Sequence, residues 1–201
     1  MTRTTLYKCT YFAYFVGVGL LFYWATKYFK VSAVMFVGLM LLLFLPGRVL
    51  GYFWRDLMRG LRLLNAGQYE ESKRHSAAFL DQVHARPWLK RLIWLGTSSY
   101  SRDPESMAFN NLGAAELALG HTDAAERSLH ESIAVDPLNP LPYYNLGILH
   151  KVLGDQMTAA GWIAEAKNRG FSKSPSDRFF MAVQSRFAAT DGQGGSEMPK
   201  T

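Results

Sequence analysis

Two long apolar stretches, separated by a short polar break, occupy the first fifty residues of the chain. From residue 9 to residue 28 the only charged side chain is Lys27, and residues 31–45 carry no charge at all. A helix needs about 20 apolar residues to cross the roughly 30 Å of hydrocarbon in a bilayer. The pattern therefore predicts two transmembrane helices, at 9–28 and 31–50.

The link between these stretches consists of Phe29 and Lys30 alone. Because backbone polar groups must be paired inside lipid, we expect the two helices to form an antiparallel hairpin, which fills residues 1–55. A cleaved signal peptide is the main alternative for the first stretch, but the stretch is too long and lacks a small-residue cleavage site. Aromatic residues cluster at the ends of the hairpin, as in interfacial belts: Tyr7, Tyr11, Phe12, Phe22, Tyr23, Trp24, Tyr28, Tyr52, Phe53 and Trp54.

The cations that flank the hairpin indicate its orientation. Arg3 and Lys8 precede the hairpin, and Lys27 and Lys30 lie near its loop. The cations that follow it are Arg48, Arg55, Arg59 and Arg62. Since cytoplasmic flanks carry the excess of Lys and Arg, both termini, and the domain that follows the hairpin, are expected to be cytoplasmic.

Beyond about residue 56 the apolar positions take helical spacing, and a period of 34 residues appears. The matches are Asn111, Leu112 and Gly113 with Asn145, Leu146 and Gly147, Leu119 and Gly120 with Leu153 and Gly154, Ala125 with Ala159, Leu129 with Ile163, and Glu131 with Glu165. Each copy predicts a helix, a turn at a glycine and a second helix. Asp136 and Pro137 end the first copy, and Pro140 begins a new helix.

These residues resemble the tetratricopeptide repeat (TPR) family, whose pattern combines an aromatic, Leu-Gly, a mid-repeat Gly, Ala, an apolar residue, a further Ala and a closing Pro. The first copy fits at Phe109, Leu112, Gly113, Gly120, Ala125, Leu129 and Pro137, and the second at Tyr143, Leu146, Gly147, Gly154, Ala159, Ile163 and Ala166. Ser132 and Phe171 depart from the pattern, standing where the family has Ala and Pro. The resemblance covers about residues 106–171 and implies an all-α, solenoid-like fold.

A degenerate copy precedes these repeats. Residues 63–72 resemble a turn and second helix, with Gly67 at the turn and Ser72 in the small-residue position. Roughly 20 additional residues then separate this copy from the first good repeat, and residues 87–95 are predicted to form an inserted helix. Residues 56–105 are thus expected to hold degenerate TPR-like helices and an insertion.

The C-terminal part of the chain predicts a capping helix and a tail. Ser174 and Pro175 form a helix start, and the residues after them carry apolar side chains at helical spacing. We expect two TPR repeats and this capping helix to fill residues 106–190, with a disordered, Gly-rich tail at 191–201. Two repeats are fewer than such arrays normally need, so self-association into a homo-oligomer is plausible.

The resemblance to TPR proteins implies a protein-binding module, in which the first helices of successive repeats line a concave groove. The groove residues would be Met107, Asn110, Asn111, Ala114, Leu117, Leu141, Tyr144, Asn145, Ile148 and Val152. Asn111 and Asn145 would either help to clamp a partner's C-terminal carboxylate or form hydrogen bonds between repeats, and no basic groove residue supports the clamp. The alternative to an open groove is that the chain's own inserted or capping helix fills it.

The segment 87–95, PWLKRLIWL, is a second candidate contact surface. Its aromatic and basic residues, Trp88, Lys90, Arg91 and Trp94, would contact the membrane surface or a partner. Core packing is the alternative, because nine residues are too few to define an amphipathic face.

Charge and chemistry narrow the function further. Residues 1–60 hold seven Lys or Arg and one acid, which accounts for the whole net charge of +6, so the basic excess gives no ground for nucleic-acid binding. Cys9 is the only cysteine, which excludes an intramolecular disulfide and makes a cysteine-ligated zinc site untenable. The five histidines share no metal-ligand spacing, and no nucleophile or phosphate-loop signature appears. We expect no enzyme, metal or cofactor.

These observations favour a membrane-anchored TPR adaptor that holds a partner protein at the cytoplasmic membrane face and supports assembly or regulation of a membrane complex. The alternative is a constitutive accessory subunit of a multi-subunit membrane complex, packed through its transmembrane hairpin. The predicted partners in either case are proteins, within a membrane protein complex, and the lipid bilayer.

Overall fold

The computed structural model describes residues 13, 16–20, 23–24, 26–28, 47–95, 101–172 and 177–193. All regular secondary structure in these residues is helical, which confirms the predicted all-α class. The elements are α1 (Arg55–Asn65), α2 (Tyr69–Ala85), a 3₁₀ helix (Pro87–Leu95), α3 (Pro104–Leu119), α4 (Thr122–Val135), α5 (Pro140–Val152), α6 (Gln156–Asn168) and α7 (Asp177–Gln193).

The predicted transmembrane spans, at 9–28 and 31–50, lie largely outside the described residues. The described fragments of the first span are helical, and so are residues 47–53, at the end of the second. In the part of the chain that the structure describes, no helix combines the length and apolar character needed to cross a bilayer.

The helices form three successive pairs, α1 with α2, α3 with α4, and α5 with α6. Each pair contacts the next, and the first helices α1, α3 and α5 also pack side by side. One apolar cluster joins the first pair and the 3₁₀ helix to α3 around Trp54, Phe79 and Leu89. A second joins the later pairs around Leu117 and Leu149. The packing is compatible with a helical solenoid.

The turn inside each pair has the same hydrogen bond at a left-handed glycine. Gly120 and Gly154 both have φ of 85°, and Gly67 has φ of 79°, a region that side chains with a Cβ avoid. The amide after each glycine donates to the carbonyl five residues earlier in the chain, at 2.9, 3.0 and 2.9 Å respectively. This is the six-to-one bond of a Schellman ending, so the degenerate copy turns as the two good copies do.

A second glycine lies seven residues before each turn glycine, where the paired helices approach most closely. A Cβ at Gly113 would lie 2.7 Å from Cγ of Leu129, and a Cβ at Gly147 would lie 2.6 Å from Cγ1 of Ile163. Gly60 holds the same place in the first pair, where an added Cβ would lie 2.9 Å from Oγ of Ser76. The 34-residue period of the sequence therefore corresponds to a close helix–helix contact that recurs in both repeats. The first pair has an equivalent contact at Gly60.

Ser132, where the TPR pattern has Ala, is part of a buried polar network between the first two good helices. Its Oγ donates to the carbonyl of Ser106 at 2.7 Å, and the Ser106 hydroxyl lies 3.0 Å from Ser132 Oγ. Asn139, fully buried at the start of α5, donates to Ser106 Oγ at 3.0 Å. Buried hydroxyls with partners in this way do not weaken the core.

The C-terminal helix α7 corresponds to the predicted capping helix. It packs on α3 and α5, the first helices of the two repeats, on which the groove was expected. It also continues to Gln193, inside the segment predicted as a disordered tail, while residues 194–201 lie outside the described residues. α7 packs on the apolar side chains of α3 and α5 because this contact removes their surface from water.

Candidate functional site

The first helices of the two repeats carry the residues expected to form the groove on the concave side of a solenoid. All ten lie on α3 or α5: Met107, Asn110, Asn111, Ala114, Leu117, Leu141, Tyr144, Asn145, Ile148 and Val152. Met107, Leu141, Tyr144 and Val152 are half-buried, and the other six are buried. Leu117, Tyr144, Ile148 and Val152 come together in one apolar cluster, whereas Met107 packs in the other cluster, near Trp54.

The chain's own helix α7 fills the apolar part of this concave side. Val183 of α7 is 0% exposed and belongs to the same cluster as Leu117 and Ile148. Phe179 contacts Tyr69 edge to face, with ring centroids 6.4 Å apart. Of the two arrangements considered for the groove, the structure therefore has the filled one, with the C-terminal helix as occupant.

The rim of this site is aromatic and cationic. The Tyr144 ring stacks on Phe171 at a centroid distance of 4.4 Å, and burial raises the pKa of its phenol to about 12. Tyr144 is therefore neutral at physiological pH and contributes an apolar wall. The Lys151 ammonium lies 4.7 Å from the ring centroid of Phe180, within the range of a cation–π contact.

An amide pair links the two repeats beneath the groove. Nδ2 of Asn145 donates to Oδ1 of Asn110 at 2.9 Å, and both side chains are buried. Of the two roles considered for Asn145, the structure shows the hydrogen bond between repeats. The partner residue is Asn110, one position before the predicted Asn111, because the side chain of residue 110 faces α5.

For the segment 87–95 the structure shows the core packing, and contact with the membrane surface or a partner stays a prediction. Leu89 is fully buried in the core, whereas Trp88 is 46% exposed. The Trp88 ring contacts Phe53 edge to face at 5.1 Å, and Phe53 contacts Tyr52 at the same distance. The side chain of Trp94 lies outside the described residues. The fold thus brings Trp88 to the aromatic residues that follow the predicted second span.

Of the two cations predicted to contact membrane or partner in this segment, Lys90 turns inward. It forms ion pairs with Glu105 and, at 3.6 Å, with Asp103, and Nε2 of His84 lies 2.9 Å from Glu105. Burial alone would raise the pKa of Glu105, but hydrogen bonds from Lys90 and His84 and their charges bring the pKa below its usual value. Burial alone would lower the pKa of Lys90. The hydrogen bonds and charges of Glu105 and Asp103 outweigh burial and raise this pKa above its usual value. Lys90 therefore fastens the 3₁₀ helix to the start of α3, while Arg91 stays exposed.

Four of the five histidines in the described residues each face a carboxylate. These pairs are His75 with Asp56, His84 with Glu105, His130 with Glu126 and His150 with Asp155. No group of three His, Cys, Asp or Glu side chains suited to a metal ion occurs in the described ranges.

Two features of the site were absent from the sequence-based expectations. The contact of Tyr69 with α7 joins residues more than a hundred positions apart, and no local pattern signals it. Gly60 could have been found, because it precedes Gly67 by the same seven residues that separate Gly113 from Gly120. Comparison with family models, with curated proteins and with solved structures finds no match to this chain.

Proposed function

We propose that this protein is a membrane-anchored adaptor of the TPR type. The hairpin of residues 9–28 and 31–50 holds the helical domain at the cytoplasmic membrane face, where the concave side of the domain binds an amphipathic helix of a partner protein. Its role is assembly or regulation of a membrane protein complex. The observation that carries the proposal is the occupied groove, since a surface that holds the chain's own amphipathic helix has the shape and chemistry for another.

The seating of α7 supports this reading. Val183 is fully buried, while Gln184, Ser185 and Met181 on the other side of the helix are exposed. A helix with one apolar stripe lies in the groove between α3 and α5, which is the helix-in-groove mode of peptide recognition. A partner helix would make the same contacts after displacing α7.

The resident helix also indicates which partner helix would fit. Phe179, Val183 and Phe187 are spaced four residues apart and all pack on the groove cluster. Such spacing places side chains along one helical stripe. The expected partner therefore presents aromatic and aliphatic residues at this spacing, and it needs no terminal carboxylate.

The test is crosslinking and affinity purification from intact membranes, with variants that release α7. Val183→Glu places a charge in the apolar cluster and should detach α7, so that capture of the partner rises several-fold. Gln184→Glu adds the same charge one residue away on the exposed side and should change nothing. Adding Tyr144→Ala to Val183→Glu should lower the capture again.

Circular dichroism of each variant verifies that helices α1 to α6 remain folded. Partner capture that is the same for Val183→Glu and Gln184→Glu would contradict groove binding, because both the release of α7 and the contact surface would then be irrelevant to the partner.

A second candidate, the constitutive accessory subunit, is favoured by the same closed groove. If α7 never leaves, the described surface of the groove is covered, and association has to use the hairpin. A Cβ at Gly17, in the predicted first span, meets nothing within 4 Å among the described residues. Gly17→Leu should disrupt close packing of the predicted first span against another membrane helix, and loss of the partner in this variant, while the helical domain stays folded, would support the subunit function.

A further inference from the structure

Exposed cations line α1 and the short helical segment that precedes it. Residues 47–53 are helical, Trp54 interrupts the helix with a ψ of 19°, and α1 begins at Arg55. The exposed cations of this region are Arg48, Arg55, Arg59 and Arg62, and we call them the basic stripe. At 3.6 residues per turn, Arg55, Arg59 and Arg62 fall within a sector of about 60° of α1.

The opposite side of this helix belongs to the core. Trp54 and Leu57 are almost fully buried, and Gly60 packs against α2. The domain therefore uses the apolar face for its own folding and leaves the stripe pointing away from it.

The charge of the stripe is not neutralised within the described chain. The only acid between residues 47 and 65 is Asp56, and its carboxylate lies 2.9 Å from His75. None of the stripe arginines has an ion pair with another described residue. Four guanidinium groups are thus exposed on α1 and the segment before it, an arrangement suited to a surface that carries many phosphates.

Exposed aromatic side chains from two distant parts of the chain accompany the stripe. Tyr52 is 75% exposed, and Trp88, which is 46% exposed, contacts the neighbouring residue Phe53. Arg91, on the same 3₁₀ helix as Trp88, is also exposed. Tyr and Trp favour the level of lipid headgroups, where an apolar ring body and a polar tip are both solvated.

We propose that the basic stripe, together with the exposed rings of Tyr52 and Trp88, lies along an anionic phospholipid surface and binds the headgroup phosphates. Continuity supplies the occupant: the predicted second span ends at about Leu50, in a helical segment that only Trp54 separates from α1. The helical domain would then lie on the bilayer instead of projecting from it. This inference concerns lipid, not the protein partner, and rests on the proposed function only for the anchor that delivers the stripe to the membrane.

The two orientations place the end of α1 at different heights. Ala66 follows Leu50 by 16 residues. At 1.5 Å per residue, it would stand about 24 Å above the interface if the helix were upright, and within a few Å if it lay flat. Ala66 is exposed, continues the line of the stripe, and has an ordinary φ of −84°, so it accepts a cysteine and a fluorescent label.

The experiment uses the full chain with Cys9→Ser and Ala66→Cys, labelled and reconstituted in phosphatidylcholine vesicles with or without phosphatidylglycerol. Energy transfer to an acceptor on the lipid headgroups reports the height of the label. The control label is at Gly161→Cys on α6, where a Cβ meets nothing within 4 Å. Anionic lipid should raise transfer from position 66 at least twofold more than from position 161, and concentrated salt should reverse the gain.

Charge-removal variants then assign the effect to the stripe. Arg55→Gln with Arg59→Gln should abolish the gain in transfer, whereas Arg127→Gln with Lys167→Gln, which removes two exposed cations elsewhere, should leave it intact. Transfer from position 66 that ignores lipid charge, or that responds equally to both pairs of substitutions, would overturn the proposal.

Extraction of the same vesicles at alkaline pH separates this proposal from the anchor. If the protein stays in all vesicles and energy transfer from position 66 does not depend on lipid charge, the transmembrane anchor is supported and the proposed lipid binding by the stripe is overturned. If the protein binds only anionic vesicles and is released by salt or alkali, lipid binding by the stripe is supported and the transmembrane anchor is contradicted.

Discussion

Replacement of Gly113 by alanine tests one of the close contacts between paired helices. The added Cβ would lie 2.7 and 2.9 Å from Cγ and Cδ2 of Leu129 and 3.1 Å from the carbonyl oxygen of Ala125. Favourable carbon–carbon contacts lie at about 3.5–4.0 Å, so α3 and α4 would have to separate by about 1 Å. Leu129 is fully buried and has no free space to enter.

The expected change in the free energy of unfolding combines two opposing effects. Overpacking of a filled core costs about 1–3 kcal/mol, and a contact with both a buried side chain and backbone falls in the upper part of that range. Alanine regains about 1 kcal/mol of helix propensity over glycine. The net prediction for Gly113→Ala is a loss of about 1–2 kcal/mol.

The assay is urea unfolding of the full chain in mild detergent, followed by circular dichroism. Gly161→Ala is the matched control, because Gly161 also lies within a helix but its Cβ would meet nothing within 4 Å. That variant should be more stable than the parent by about 0.5–1 kcal/mol. Gly147→Ala, where the added Cβ would lie 2.6 Å from Ile163, should resemble Gly113→Ala.

A rescue variant identifies the cause of the loss. Leu129→Ala removes the side chain that the new methyl group meets, so Gly113→Ala should cost much less in that background, with a coupling of about 0.5–3 kcal/mol. If Gly113→Ala stabilises the protein as much as Gly161→Ala does, then the helices are not in contact at Gly113 and the steric reasoning is wrong.

Two further predictions concern stability. Since the folded state lowers the pKa of Glu105, its contribution is present above the ordinary value of 4.5 and is lost as the pH falls through the folded value. Acid titration of the unfolding midpoint should therefore be flatter for Glu105→Gln than for the parent, and an equal slope would contradict the role of Lys90. Asn139→Ala should cost about 2 kcal/mol in the urea assay, because it removes a helix cap and leaves Ser106 without a buried donor. Asp155→Ala, at an exposed cap, should cost less than Asn139→Ala, and equal losses would refute the importance of burial.

Much of the repeat architecture could be predicted because it depends on local chemistry. The turn glycines at 120 and 154 adopt a left-handed φ, and the sequence marks them as the ends of helices. Gly113 and Gly147 match each other in the 34-residue period, and the short distances from a Cβ at each position to Leu129 and Ile163 show that the paired helices pack closely there. The first pair was harder to recognise, because Ser76 replaces the apolar partner that the other pairs have.

The site was less predictable. Side chains on α3 and α5 were placed correctly on those helices, but the pattern left open whether the groove was empty or filled. The amphipathic spacing around Val183 fits a terminal cap and a groove occupant equally well. Only the packing of α7 on α3 and α5 distinguishes the two.

By itself, the sequence determined the all-helical class, the helix pairs related by 34 residues and their glycine turns, because helix periodicity, turn conformation and steric size are properties of neighbouring residues. The transmembrane hairpin and the TPR assignment remain predictions from the same source. The tertiary structure decided that α7 fills the concave side, that Lys90 turns toward Glu105, and that Trp88 reaches Phe53. These contacts join residues far apart in the chain, and the free energy of burying them depends on which surfaces the complete fold leaves uncovered.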